Sequence, residues 1–214
     1  MDNNSLYAKM FSWLFIGLLI TFATGYGLSL NHELMVKVLT IGIIPIIIAE
    51  VLIAIFLGVR IAKMNPITTK ILYIIFSIIT GITFSAIFVT YKVSSIIFIF
   101  LLTALIFGIL AFYGFITKRD LTKLGAILFV SLIVMIIASL LNLFLLKSSS
   151  LDLGLTLLGI LVFTLYIAYD VNRVKMLLET VGEEKAAVYG AFQLYLDFIN
   201  LFIRLLQLFG KRND

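Results

Sequence analysis

Cysteine is absent from the 214 residues, histidine occurs once, proline twice, and only 13% of the residues are charged. Without cysteine there are no disulfides, no thiolate nucleophile and no Cys-based metal site. The single histidine, His32, stands between Asn31 and Glu33 in a polar break and reads as a solvated loop residue. A His-rich zinc site is thereby excluded, and serine chemistry has no intramembrane histidine base. The missing charge is replaced by apolar residues, 63% of the chain, against roughly 45–50% in an ordinary globular domain. One soluble core cannot hide that much apolar surface, so the solvent for most of the chain is lipid. At roughly 20 residues per crossing, six or seven spans use about 120–140 residues and leave short connections. That excludes a separate soluble catalytic domain, a nucleic-acid-binding module and a disordered tail. The formal net charge of +5 sits at span ends, where topology explains it without a nucleic-acid partner. The first apolar run continues too long for a cleavable signal and lacks a small-residue cleavage motif.

Long apolar runs predict seven helices, at Met10–Leu30, Val38–Val59, Thr68–Thr90, Ser94–Ile116, Lys123–Leu146, Leu151–Val171 and Tyr189–Phe209. The fold class is an all-α integral membrane protein, a single transmembrane bundle over residues 1–214. No internal repeat supports a two-fold transporter architecture. Lys9, Arg60, Lys63, Lys70, Lys118, Arg119, Lys123, Arg173, Lys175 and Lys185 fall on one side, with only Lys37, Lys92 and Lys147 facing them. The positive-inside rule then makes the N-terminus cytoplasmic. Arg204, Lys211 and Arg212 depart from this pattern, so helix seven is either re-entrant or inserted late and shielded by the others. Small residues recur at packing intervals: Gly17, Thr21 and Gly25; Ser77, Gly81 and Ser85; Ala104 and Gly108. Pro45 is expected to kink helix two.

Ionisable groups inside the apolar runs are the informative exceptions, since each costs roughly 2.5–3.5 kcal/mol at a helix centre on insertion scales. Glu50, Asp170 and Asp197 are the three acids, and Arg204 is the buried cation. Glu179, Glu183 and Glu184 read as solvated residues of the loop after helix six. On helix seven, Gln193, Asp197, Asn200, Arg204 and Gln207 fall within an arc of about 80° at 100° per residue. Such a stripe faces protein or a watery cavity. It is either a hydrogen-bonded seam locking the bundle or the lining of a pore or proton-responsive site.

Connectivity brings Asp170 and Asp197 towards the same membrane face, where Arg60 also lies. Asp197 is roughly 12 Å from the apparent start of its helix, deeper than Asp170 with its helix ending near Val171. If the carboxyls touch, both resist ionising together, and the pair holds one proton. Loss of that proton gives a self-repelling dianion that recruits Arg60 or a cation, a two-state element biased by pH. Glu50, roughly 15 Å deeper than Arg60, offers an anionic oxygen along a cation path, the ligand type calcium prefers.

The segments LYIAYDVNRVK and LYLDFINLFIRLLQLFG, with ITGITFS in helix three and IAEVLIAIF in helix two, resemble the transmembrane Bax inhibitor motif family over nearly the whole chain. The likeness is to its small bacterial members. It implies seven transmembrane helices, six wrapped around a central C-terminal one, in the plasma (inner) membrane. It implies a pH-sensitive calcium leak governed by Asp170 and Asp197, with Arg60 as latch and acid favouring the leaking state. Glu50, Gln193, Asn200 and Arg204 would line the ion pathway, with Asp170, Asp197 and Glu50 as oxygen ligands for calcium as permeant ion. No cofactor is implied, and no enzymatic activity. Ile61 and Ala62 follow Arg60 where members of the resembled family can carry a basic cluster. The alternatives are a membrane partner-binding module that modulates a membrane protease, and an intramembrane aspartyl protease. Tyr169-Asp170 resembles half of the protease signature, but Tyr195-Leu196-Asp197 lacks its glycines.

Overall fold

The computed structural model describes residues 3–60 and 63–213; Ile61 and Ala62 lie outside the described residues. Seven helices follow one another: α1 (Asn3–Ser29), α2 (His32–Arg60), α3 (Pro66–Thr90), α4 (Val93–Ile116), α5 (Thr122–Leu141, continued by a π-helical turn Asn142–Leu146), α6 (Ser149–Val181) and α7 (Glu183–Phe209). All seven are long and apolar enough to cross a membrane.

Four helix ends lie outside the apolar runs: α1 and α2 begin earlier than expected, α6 continues to Val181, and α7 already starts at Glu183. An apolar run measures the lipid-covered stretch, whereas backbone hydrogen bonding continues until a cap or breaker stops it. His32 is accordingly an exposed first residue of α2, not a loop residue. The Asn31 side chain accepts from the Leu34 amide at 3.0 Å and starts that helix. Asn65 does the same for α3, accepting from the Ile67 amide at 2.9 Å with Pro66 in the first turn. The helical run of α2 continues across Pro45.

The chain divides into two compact units. The first takes in α1, α2 and α3, the segment Val174–Tyr195 and the tail from Arg212. Here α1 and α3 approach through glycine. A Cβ at Gly81 would lie 2.6 Å from Thr24 Cβ and 2.8 Å from the Thr21 carbonyl oxygen, and one at Gly25 would lie 2.9 Å from the Gly81 oxygen. Tyr73 and Phe76 of α3 meet Phe192 and Tyr195 of α7 edge to face at 5.3–6.5 Å. Glu183 and Glu184 are not loop residues. They form the first turn of α7, where Glu183 pairs with Lys9 at 2.8 Å and accepts from Ser5, and Glu184 pairs with Lys70 at 2.8 Å. Glu179 is an exposed residue of α6. At the opposite end of the chain Asn213 donates its amide to the Thr90 carbonyl at 3.0 Å and its side chain to Val89 at 2.7 Å.

The second unit holds Ser94–Arg173 and Leu196–Lys211. Helix α4 contributes Thr103, Phe107, Ala111 and Gly114 to its interior. Phe100 and Phe107 lie on Phe198 with ring centroids 5.3 and 5.7 Å apart. Of the pair Ala104 and Gly108, Ala104 is half-buried, but Gly108 makes no close approach: it is exposed, and a Cβ there would meet nothing within 4 Å. The close approach is six residues further on. A Cβ at Gly114 would lie 2.4 Å from the Ala168 carbonyl oxygen. Spacing identifies small residues, but only neighbouring backbone decides which face is covered.

Candidate functional site

Helices α6 and α7 are joined by one residue, Gly182, whose φ of +80° is open to glycine at no steric cost. Helix α6 runs eleven residues past Asp170 before the turn, and α7 covers fourteen before reaching Asp197. At 1.5 Å per residue these distances are roughly 16 and 21 Å, so the apparent difference in depth largely disappears. Asp170 and Asp197 are 6% and 4% exposed, and their carboxyls are hydrogen-bonded to each other. A carboxylate only accepts, so such a bond requires a proton on one partner. Oδ2 of Asp197 is buried and accepts from no N–H or O–H donor among the described residues. A neutral carbonyl oxygen tolerates that far better than an ionised one.

A cation beside Asp170 comes from its own helix. The charge of Arg173, three residues on, acts on the Asp170 carboxyl, and its guanidinium stands over the Tyr169 ring at 5.8 Å. In the sequence Arg173 is one of the topogenic charges. The i, i+3 spacing from Asp170 was the signal that would have found it. Arg60 is the exposed last residue of α2 and makes no salt bridge among the described residues.

The polar stripe of α7 is a series of separate arrangements. Asp197 bonds Asp170, and the Asn200 side chain donates to the Leu196 carbonyl of its own helix at 2.8 Å. Arg204 donates from Nη1 to the Leu155 carbonyl of α6 at 3.0 Å and lies against Phe163, with its Nε buried and unpartnered. Gly159 leaves the room for this side chain. Gln193 is half-buried and Gln207 exposed, whereas Leu194, Tyr195, Leu201 and Phe202 on the apolar faces are fully buried. Apart from the buried Asp197, the stripe residues are thus more accessible than the apolar residues beside them.

Glu50 is half-buried in α2, with the Thr83 hydroxyl of α3 at 3.4 Å. Among the described residues no three His, Cys, Asp or Glu side chains converge as a metal site.

The family model described as inhibitor of apoptosis-promoting Bax1 matches residues 3–214. The inner membrane protein YbhL of Escherichia coli K12 is 38% identical over 213 residues, covering 96% of this chain and 91% of YbhL. A protein of Borreliella burgdorferi is 36% identical over 99% of this chain and 94% of its own length. The Rickettsia prowazekii protein RP147 is 39% identical over 79% of this chain and 73% of its own. With its seven membrane-length helices and this full-length match, the chain belongs to the Bax inhibitor-1 family of membrane proteins.

Proposed function

We propose that this protein is a pH-sensitive calcium leak of the plasma (inner) membrane, gated by the Asp170–Asp197 pair. The observation that carries this reading is the direct hydrogen bond between two buried carboxyls on consecutive helices. One shared proton keeps them together. A second proton neutralises the pair and releases the attraction of Arg173, the family resemblance adding Arg60 as a latch residue; removal of both leaves a repelling dianion. The family resemblance supplies the direction, with acid favouring the leaking state. Calcium is the permeant ion and not a resident cofactor, with Glu50, Gln193, Asn200 and Arg204 along its route. No step is enzymatic. The inner-membrane name of the Escherichia coli relative supports the same location here, and the distribution of Lys and Arg supports a cytoplasmic N-terminus.

The test is calcium influx into proteoliposomes at acidic and alkaline pH, for the native protein and for Asp170→Asn and Asp197→Asn. A pH-dependent flux that either substitution flattens is the expected result. Folded native protein that passes no more calcium than empty liposomes overturns the reading and moves it to the partner-binding module.

A further inference from the structure

The first unit contains a second polar centre, and counting its protons shows what it lacks. The Thr21 hydroxyl donates to the Ser77 carbonyl at 2.9 Å. That uses its one proton, so in the 2.6 Å contact between Thr21 and Tyr195 the tyrosine is the donor. The Tyr195 oxygen therefore keeps its acceptor capacity. The Thr83 hydroxyl likewise has one proton, which goes to the Thr80 carbonyl at 2.8 Å. Its 3.4 Å approach to Glu50 is left as the weaker branch. Thr80 is 5% exposed; its hydroxyl is within reach of both the Glu50 carboxyl and the Tyr195 hydroxyl, yet is buried with no partner at hydrogen-bonding geometry. The groups that α3 and α7 present to Glu50 are hydroxyls, and among the described residues no salt bridge reaches it.

One carboxyl with three neutral oxygens, Thr80, Thr83 and Tyr195, and no base in attendance is a ligand set with a single negative charge. Hard oxygens of this kind suit alkali and alkaline-earth cations and not the softer transition metals. Calcium sites gather six to eight oxygens and commonly more than one carboxylate, so a divalent ion can pass Glu50 but, resident here, would leave an uncompensated positive charge in a poor dielectric. We infer that Glu50, Thr80, Thr83 and Tyr195 form a binding site for one monovalent alkali cation, of the sodium class, separate in its residues from the aspartyl pair. This goes beyond the leak reading; Glu50 is shared with the proposed calcium route, but binding is measured without flux, so the two are tested apart.

The experiment is equilibrium binding of radioactive sodium to the purified full-length protein in detergent at neutral pH. Saturable binding is expected, displaced by unlabelled sodium chloride and not by choline chloride of equal ionic strength. Loss of the charged ligand in Glu50→Gln should weaken it about tenfold or more. Thr80→Val should weaken it about threefold to tenfold, Thr80→Ser should keep it, and Asp197→Asn should leave it unchanged. Thr80→Val against Thr80→Ser carries the test if Glu50→Gln does not fold. The inference is overturned by native protein that binds no sodium saturably, by binding that survives in Glu50→Gln, or by binding lost in Asp197→Asn alone. Absence of calcium flux with sodium binding intact removes the leak reading and leaves this site standing.

Discussion

Replacing Gly114 by alanine puts a methyl group where α4 meets α6, two residues before Asp170. The added carbon would lie 2.4 Å from the Ala168 oxygen, 3.0 Å from its Cα and 3.1 Å from its carbonyl carbon. Even a close carbon–oxygen contact needs about 3.3–3.6 Å, so the helices must part by about 1 Å. All three atoms are backbone and no rotamer change relieves them. Overpacking of this kind costs about 1–3 kcal/mol. Gly108→Ala is the matched control, on the same helix with nothing within 4 Å of the new methyl. The helix-propensity gain of about 1 kcal/mol on replacing glycine is common to both and cancels in their difference. At roughly 2–4 °C per kcal/mol for a chain of this size, Gly114→Ala should melt about 2–12 °C below Gly108→Ala in detergent. On the proposed leak reading, the displaced backbone carries Asp170, so acid-dependent calcium flux should suffer more in Gly114→Ala as well. Two variants that melt together would refute the reasoning, since the close approach would then cost nothing.

Two other perturbations test the hydrogen bonds directly. Thr21→Val strands the buried Tyr195 hydroxyl, whereas Tyr195→Phe leaves Thr21 still bonded to Ser77. Thr21→Val should therefore be the more destabilising, by about 0.6–1.7 kcal/mol as for hydrogen bonds inside membrane proteins. Adding Tyr195→Phe should recover part of that loss, and a strictly additive double mutant in thermal unfolding would contradict the proton assignment. Outside the spans, the Thr122 hydroxyl and amide hold the Asp120 carboxyl below its usual range. A depressed carboxyl contributes above its unfolded value, about 3.9, and loses that contribution as pH falls through the lower folded one. Hydrogen exchange in the first turn of α5 should accelerate only at that acid end, and Asp120→Asn should remove the dependence; exchange that is flat with pH in the native protein would count against a stabilising role for the Asp120–Thr122 bonds.

The seven spans and the aspartyl pair were legible because lipid imposes long apolar runs and makes every interior charge conspicuous. Asp170 and Asp197 stand out against Leu, Ile, Tyr and Phe on a pattern that needs no structure to be seen. Helix ends were not legible, since Glu183 and Glu184 extend α7 outside the apolar run and are held there by Lys9 and Lys70, residues far away in sequence. Gly108 and Gly114 have the same local chemistry, and only the position of Ala168 separates an exposed glycine from a buried one. The hydroxyl centre around Glu50 escaped for a similar reason. Threonine and tyrosine are ordinary residues in membrane helices, and Thr80 becomes informative only when its oxygen is found buried beside an acid. Arg173 was hidden by its company, one of several Lys and Arg residues at helix ends that the charge distribution already accounted for.

The single-residue turn at Gly182 acts as a ruler. Each residue added to or removed from it would rotate α7 by about 100° and slide it by about 1.5 Å relative to α6, carrying Asp197 off the face that meets Asp170. Chain length is thus constrained at this turn, independently of which side chains flank it. Sequence drift that changes loop lengths elsewhere in the molecule has no room here, and an engineered insertion site, reporter or cleavage tag placed between Val181 and Glu183 would uncouple the acids while leaving both helices intact.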